Sequence, residues 1–111
     1  MIGDMQSWTP NVAGIIEHAK KVHPKTEIIS RLVSGEIHRS NYEEVCIRSR
    51  KLASVLIKDG YKEGDVLATL ALNTYRHLEM YYGISGMGAI THTLNFRLHP
   101  EQAVYIINHA E

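Results

Sequence analysis

The chain has 111 residues, of which 44% are hydrophobic and 22% charged, and its formal net charge is zero. That suits one small globular domain or part of a larger one, and the missing basic surplus argues against nucleic-acid binding. The single cysteine, Cys46, excludes an internal disulfide and points to a reducing, cytoplasmic compartment. No stretch is apolar for long enough to span a bilayer, the first residues lack the pattern of a secretory signal, and Gly3 stands one place too late for myristoylation.

Residues 1–8 are short and mixed, and an extended arm is expected there. Thr9-Pro10-Asn11 reads as a helix start, after which Val12, Ile15, Ile16 and Ala19 recur at helical spacing and define one apolar face. Lys20 and Lys21 suit the negative end of that helix, and His23-Pro24 stops it. Residues 26–39 are rich in Ile, Val and Leu around Ser34-Gly35, which predicts a small β-hairpin. The alternation is imperfect, because Ile28 and Ile29 are adjacent.

Residues 41–59 form the clearest helix. Asn41 and Glu44 have capping-box spacing, each side chain placed to reach the other's backbone N–H. Tyr42, Val45, Cys46, Ser49, Leu52, Ala53, Leu56 and Ile57 share one face, while Glu43, Glu44, Arg48, Arg50, Lys51, Ser54 and Lys58 share the other. Gly60 supplies the left-handed residue that ends the helix.

Residues 66–72 are apolar at every position but Thr69, the pattern of a strand covered on both faces. A helix from Tyr75 to about Gly86 follows, then a short strand over residues 89–93, then a helix opened by Pro100. Strand, helix, strand, helix is a βαβ signature with parallel neighbours. The expected fold is α/β: a partial parallel sheet, flanking helices and a small N-terminal hairpin. Two parallel strands and two helices cannot cover both faces of a sheet, so an uncovered face or edge is expected. Self-association, or strong binding of a hydrophobic dye, would follow.

The chemistry legible in the residues is sparse. The first strand-to-helix turn, Leu72-Asn73-Thr74-Tyr75, has no glycine, and no P-loop pattern occurs, so no nucleotide site is expected from this chain alone. Gly83, Gly86 and Gly88 fall late in the helix and suit close packing and termination. Of seven histidines, His77, His92 and His99 lie in the βαβ region, but their spacing matches no zinc pattern. Solvated or capping roles are favoured. Cys46 reads as a small core residue rather than a catalytic thiol. Ser85 is one residue off a nucleophile elbow and lies within a helix. Met80, Tyr81, Tyr82 and Met87 could form a ligand-facing patch, but at this spacing core packing is favoured. Arg97 follows a strand's C-terminal end, where α/β proteins place ligands; a structural role, bonding loop carbonyls or a carboxylate, is favoured.

Three segments in order carry a resemblance. They are Tyr-Arg-His-Leu-Glu-Met-Tyr-Tyr-Gly from Tyr75, Gly-Met-Gly-Ala-Ile-Thr-His-Thr-Leu-Asn from Gly86, and Arg-Leu-His-Pro-Glu-Gln from Arg97. Together they closely resemble the N-terminal region of fatty-acyl-CoA synthetases, members of the acyl-adenylate-forming (AMP-binding) superfamily. Asn41-Tyr42-Glu43-Glu44-Val45 and Gly64-Asp65-Val66-Leu67-Ala68 resemble two earlier segments of the same enzymes. The similarity covers nearly the whole chain, including residues 1–6, and is strongest to medium- and long-chain fatty-acid ligases. Phe96 stands where the family usually has proline, which frees one backbone dihedral in a tight loop. Asn41 replaces the usual threonine cap, and both cap well.

The resemblance implies that residues 1–111 are the N-terminal part of an AMP-binding domain in a longer enzyme. Such ligases use ATP and Mg²⁺ to convert a fatty acid to an acyl-adenylate, and coenzyme A then takes the acyl group. The family's phosphate loop, its nucleotide-binding segments and its C-terminal lysine lie downstream of the region matched. No catalytic, cofactor-binding or metal residue is therefore assigned to this chain, and no cofactor is expected bound to it. The rivals are a free-standing α/β interaction or regulatory module and a small histidine-based metal-binding protein.

Overall fold

The computed structural model describes residues 3, 7–9 and 11–110. Most of the arm expected over residues 1–8, and Pro10 of the helix start, lie outside the described residues. The elements are α1 (Val12–Val22), β1 (Glu27–Arg31), β2 (Ile37–Asn41), α2 (Tyr42–Lys58), β3 (Val66–Thr69), α3 (Tyr75–Gly86), β4 (Ile90–Thr93) and α4 (Pro100–His109). β1 and β2 pair antiparallel, and β3 and β4 pair parallel. The α/β class, the hairpin and the βαβ unit are as expected.

Asn11 caps α1, its Oδ1 accepting from the Gly14 N–H at 2.8 Å. The fold buries only Ile16 of this helix, and Ile15 stays 61% exposed. The hairpin turns at Gly35, whose φ of +87° suits glycine. Ile28 packs toward the core while Ile29, on the opposite face, is exposed, which explains the broken alternation. β2 continues two residues past the expected end at Arg39 and hands directly to α2, so Asn41 is both the last strand residue and the N-cap.

The cap itself differs from the expected box. Asn41 Oδ1 accepts from the Glu44 N–H at 2.9 Å, as read. The return bond, however, runs from the Asn41 side-chain amide to Glu44 Oε1 at 3.2 Å, not from backbone N–H. Asparagine offers a donor of its own, and the Asn41 backbone belongs to the β2 ladder opposite Glu27. At the other end, Gly60 N–H bonds Ile57 O and Tyr61 N–H bonds Leu56 O, the paired bonds of a Schellman stop, with Gly60 at φ +98°.

Val45 and Cys46 are fully buried and form, with Ile16, the small core on which Ile28, Tyr42, Leu78 and Tyr82 pack. Ile57, read as part of this face, is 57% exposed. The reason is length. Contacts advance in step along α2 and α3, from Arg48 on Glu79 to Ser49 and Leu52 on Gly83, and α3 ends at Gly86 before it can cover the last turn of α2.

β3 is shorter than the expected strand over residues 66–72. Its ladder with β4 runs from Val66 opposite Ile90 to Thr69 opposite Thr93, and Leu94 N–H to Thr69 O closes it at 2.9 Å. Among the described residues, 70–72 have no partner strand, and Leu70 is 66% exposed. Nor is β3 covered on both faces. α3 covers the face bearing Thr69 and Thr91 through the His77–Thr69 and Ser85–Thr91 bonds. Val66 and Ile90, on the opposite face, are exposed. α4 buries none of its residues.

The radius of gyration is 16.3 Å, against about 13 Å for a self-contained domain of this length. The accessible surface of 8454 Å² exceeds by about a third the ~6,200 Å² of a folded monomer of this mass. The elements are well formed, but their apolar faces are incompletely paired. Among the described residues, no helix is long and apolar enough to cross a membrane.

Candidate functional site

The C-terminal ends of β3 and β4 open into a cleft of about 940 Å³. Parallel α/β sheets bind ligands at this end, because strand ends and helix starts diverge there. One wall is the start of α3, from Asn73 to Leu78. The other is the loop after β4, from Leu94 to Arg97, and Ser30 of the hairpin closes one side.

The α3 wall is braced from below. His77 reaches Thr69 Oγ1 with Nε2 at 3.1 Å and Asn73 Oδ1 with Nδ1 at 3.3 Å. An amide oxygen only accepts, so this arrangement puts the imidazole proton on Nδ1 and leaves Nε2 to accept from the Thr69 hydroxyl. The ring ties the end of a strand to the first turn of the helix. Thr74 takes the N-cap position in an extended conformation without a side-chain cap bond. Tyr75 is buried, stacked on His38 of β2 with centroids 3.6 Å apart, and its hydroxyl accepts from Arg76 Nε at 3.0 Å. This hairpin-to-α3 clamp was not foreseen from the sequence. His38 and Tyr75 lie on separate elements, and no local pattern links them.

The opposite wall is a turn held by Asn95. Its carboxamide oxygen accepts from the Arg97 N–H at 3.0 Å, and its carbonyl accepts from the Leu98 N–H at 3.2 Å. This Asx-type turn restores the rigidity that Phe96 forgoes by replacing proline. Arg97 corrects the sequence reading. Among the described residues, no carbonyl or carboxylate accepts from its guanidinium, which instead lies 5.5 Å from the Phe96 ring centroid. A charged group at a cleft mouth with only an aromatic neighbour is available to a ligand.

The remaining candidates separate. His92, opposite Ala68 in the ladder, occupies the sheet face away from α3, and its buried Nε2 has no partner. His99 stands at the start of α4, its backbone N–H donating to Gln102 Oε1 at 3.3 Å. His77, His92 and His99 therefore do not converge. Tyr81 lines the cleft, whereas its neighbour Tyr82 packs on the core, where burial pushes its phenol pKa up. Met80 and Met87 are half-buried. Ser85 bonds Thr91 at 2.9 Å.

Cys46 is fully buried, and its thiol donates to Glu17 Oε1 at 3.3 Å. Burial and then the Glu17 carboxylate push the thiol pKa up, away from a reactive thiolate. Behind the cleft, buried Glu79 of α3 accepts from Arg48 of α2, and that bond raises the arginine further. Gly83 lets the same two helices touch: a Cβ there would stand 3.0 Å from the Ser49 carbonyl oxygen.

The sequence profile of AMP-binding enzymes matches residues 16–111. The chain belongs to the AMP-binding enzyme family. It is 47% identical over its full length to a medium-chain-fatty-acid–CoA ligase of Ectopseudomonas oleovorans and covers 20% of that protein. It is 44% identical, again over its full length, to a 3-methylmercaptopropionyl-CoA ligase of Ruegeria lacuscaerulensis, of which it covers 21%. The chain thus spans about a fifth of the length of these relatives. Among solved structures, the inhibitor-bound N-terminal domain of FACL13 from Mycobacterium tuberculosis superposes with a TM-score of 0.78 at 22% identity, over 89% of this chain and 24% of that one. That likeness shows the fold.

Proposed function

We propose that residues 1–111 are the N-terminal part of an AMP-binding domain whose parent enzyme joins a medium- or long-chain fatty acid to coenzyme A at the expense of ATP. The observation that carries this reading is the full-length match to a medium-chain-fatty-acid–CoA ligase. In the parent enzyme the fatty carboxylate attacks the α-phosphate of ATP, giving acyl-adenylate and pyrophosphate. The thiol of coenzyme A then displaces AMP. A cytoplasmic location fits the lone reduced cysteine and the substrates.

Acyl length is set elsewhere. Two relatives with different acyl groups match this chain almost equally, at 44% and 47%. The chain's own part is positional. The His77 brace and the Asn95 turn hold the two cleft walls, and the Arg48–Glu79 pair and Gly83 hold α3 on α2. Magnesium, when bound, neutralises phosphate charge in such chemistry. Among the described residues no three His, Cys, Asp or Glu side chains come together, and the cleft is lined by no carboxylate.

The test is fatty-acid-dependent ATP–pyrophosphate exchange, with acyl-CoA formation as a second readout. The full-length protein is expected to show both, and the isolated chain neither. Exchange by the isolated chain would overturn its scaffold role. A full-length protein inert toward every fatty acid tried would overturn the ligase reading. The isolated chain is also expected to self-associate through its uncovered apolar faces; a monodisperse monomer that binds no hydrophobic dye would refute that.

A further inference from the structure

The cleft between α3 and the loop after β4 presents donors from both walls and, among the described residues, is lined by no Asp or Glu. On the α3 wall a chain of three side chains orients the donor. The buried Thr69 hydroxyl donates to His77 Nε2 at 3.1 Å, which leaves the imidazole proton on Nδ1, and Nδ1 donates to Asn73 Oδ1 at 3.3 Å. The Asn73 carboxamide therefore turns its oxygen to the ring and its NH₂ group away from it. Asn73 is exposed and lines the cleft, and that NH₂ has no partner among the described residues. The opposite wall repeats the device. Asn95 Oδ1 is occupied by the Arg97 N–H at 3.0 Å, so the Asn95 NH₂ and the Arg97 guanidinium are left on the lining.

The geometry points to Asn73 as a ligand-binding residue: its carboxamide, set by His77 and Thr69, donates to a phosphate oxygen of a nucleotide seated in this cleft. A phosphate presents several acceptor oxygens and takes donors from more than one direction, as the two walls offer them. Tyr81 and Phe96, also on the lining, supply aromatic faces against which a base can stack. The contact is made by side chains, so the turn before α3 needs no glycine. Asn73 touches the ligand; His77 and Thr69 act through it, as positioning residues. The choice of nucleotide rests on the ligase reading, whose two phosphate-bearing substrates are ATP and coenzyme A.

The test uses the full-length protein. Titration calorimetry gives its affinity for ATP and for coenzyme A separately, and neither measurement needs turnover. Asn73→Asp keeps the oxygen that accepts from His77 but replaces the NH₂ group by a second, charged oxygen. It should weaken one of the two nucleotides by at least about tenfold, with the melting temperature unchanged because the side chain is exposed. Asn73→Ala should weaken the same nucleotide by roughly fivefold. Thr69→Val removes the hydroxyl that fixes the imidazole proton and should weaken it by about threefold, while Thr69→Ser should bind as the wild type does. Loss through ATP raises KM in ATP–pyrophosphate exchange, which needs no coenzyme A. Loss through coenzyme A leaves exchange intact and raises KM in thioester formation. Unchanged affinity for both nucleotides in the two Asn73 variants would overturn the proposal, as would a wild-type protein that binds neither, or equal affinity in Thr69→Val and Thr69→Ser. Asn73-dependent binding without acyl-adenylate formation would sink the ligase reading and leave this one standing. An active ligase in which Asn73→Asp behaves as wild type would do the reverse.

Discussion

Gly83 offers the sharpest test of how α2 and α3 are held together. The same change, Gly→Ala, should have opposite signs at two positions one helical turn apart. In a helix interior, alanine is more favourable than glycine by about 1 kcal/mol. At Gly86, the last residue of α3, a Cβ would meet nothing within 4 Å, so Gly86→Ala should realise part of that gain, roughly 0.5 kcal/mol. At Gly83 the new methyl would stand 3.0 Å from the Ser49 carbonyl oxygen and 3.1 Å from Leu52 Cδ2. Leu52 can shift, but a backbone carbonyl inside α2 cannot rotate away. The helices must part by a few tenths of an ångström, and such overpacking costs about 1–3 kcal/mol. Set against the propensity gain, Gly83→Ala should destabilise by about 1 kcal/mol, and Gly83→Val by ~3 kcal/mol or more. Urea unfolding followed by far-UV circular dichroism reads this directly. With a slope of about 1–3 kcal/mol per molar for a small protein, Gly83→Ala should lower the midpoint by roughly 0.5 M, while Gly86→Ala raises it. If Gly83→Ala stabilises as much as Gly86→Ala, the close approach of the two helices is wrong.

Removing Arg48 strands the buried Glu79 carboxylate. Arg48 is itself largely exposed, so Arg48→Met should cost about 1–2 kcal/mol, and adding Glu79→Gln should recover part of that loss in a double-mutant cycle. The Glu17 carboxyl is pushed up by burial, but the Cys46 thiol and the Arg50 guanidinium outweigh this and hold it below the usual carboxylate range. A depressed folded pKa gives stability that is present above the unfolded value, about pH 4.3, and lost as pH falls through the folded value. Glu17→Gln should therefore flatten the acid limb of a stability–pH curve; an unchanged limb would contradict it. Among the described residues the Arg97 guanidinium makes no hydrogen bond or ion pair and meets only the Phe96 ring, so Arg97→Ala should change stability by no more than about 0.5 kcal/mol, and a larger loss would reveal a structural bond.

Elements whose cause lies within a turn or two of chain were readable in the residues. The Asn41 cap, the Gly60 stop, the turn at Gly35 and the start of α4 at Pro100 all depend on partners a few residues away, or on one residue's own backbone freedom. The family was legible for a related reason, since its segments recur in order along the chain, and the match over residues 16–111 agrees. Which faces would be covered was another matter. β3 stops at Thr69 because β4 offers no further partner, Ile57 stays in solvent because α3 ends first, and Ile15 is exposed because α1 turns Ile16 and Glu17, not Ile15, toward α2. The cleft owes its walls to pairs such as His38–Tyr75 and Arg48–Glu79, which join separate elements. A pattern in one segment shows that it has an apolar side; only the packed chain decides what meets that side, because burial is a property of two surfaces and not of one.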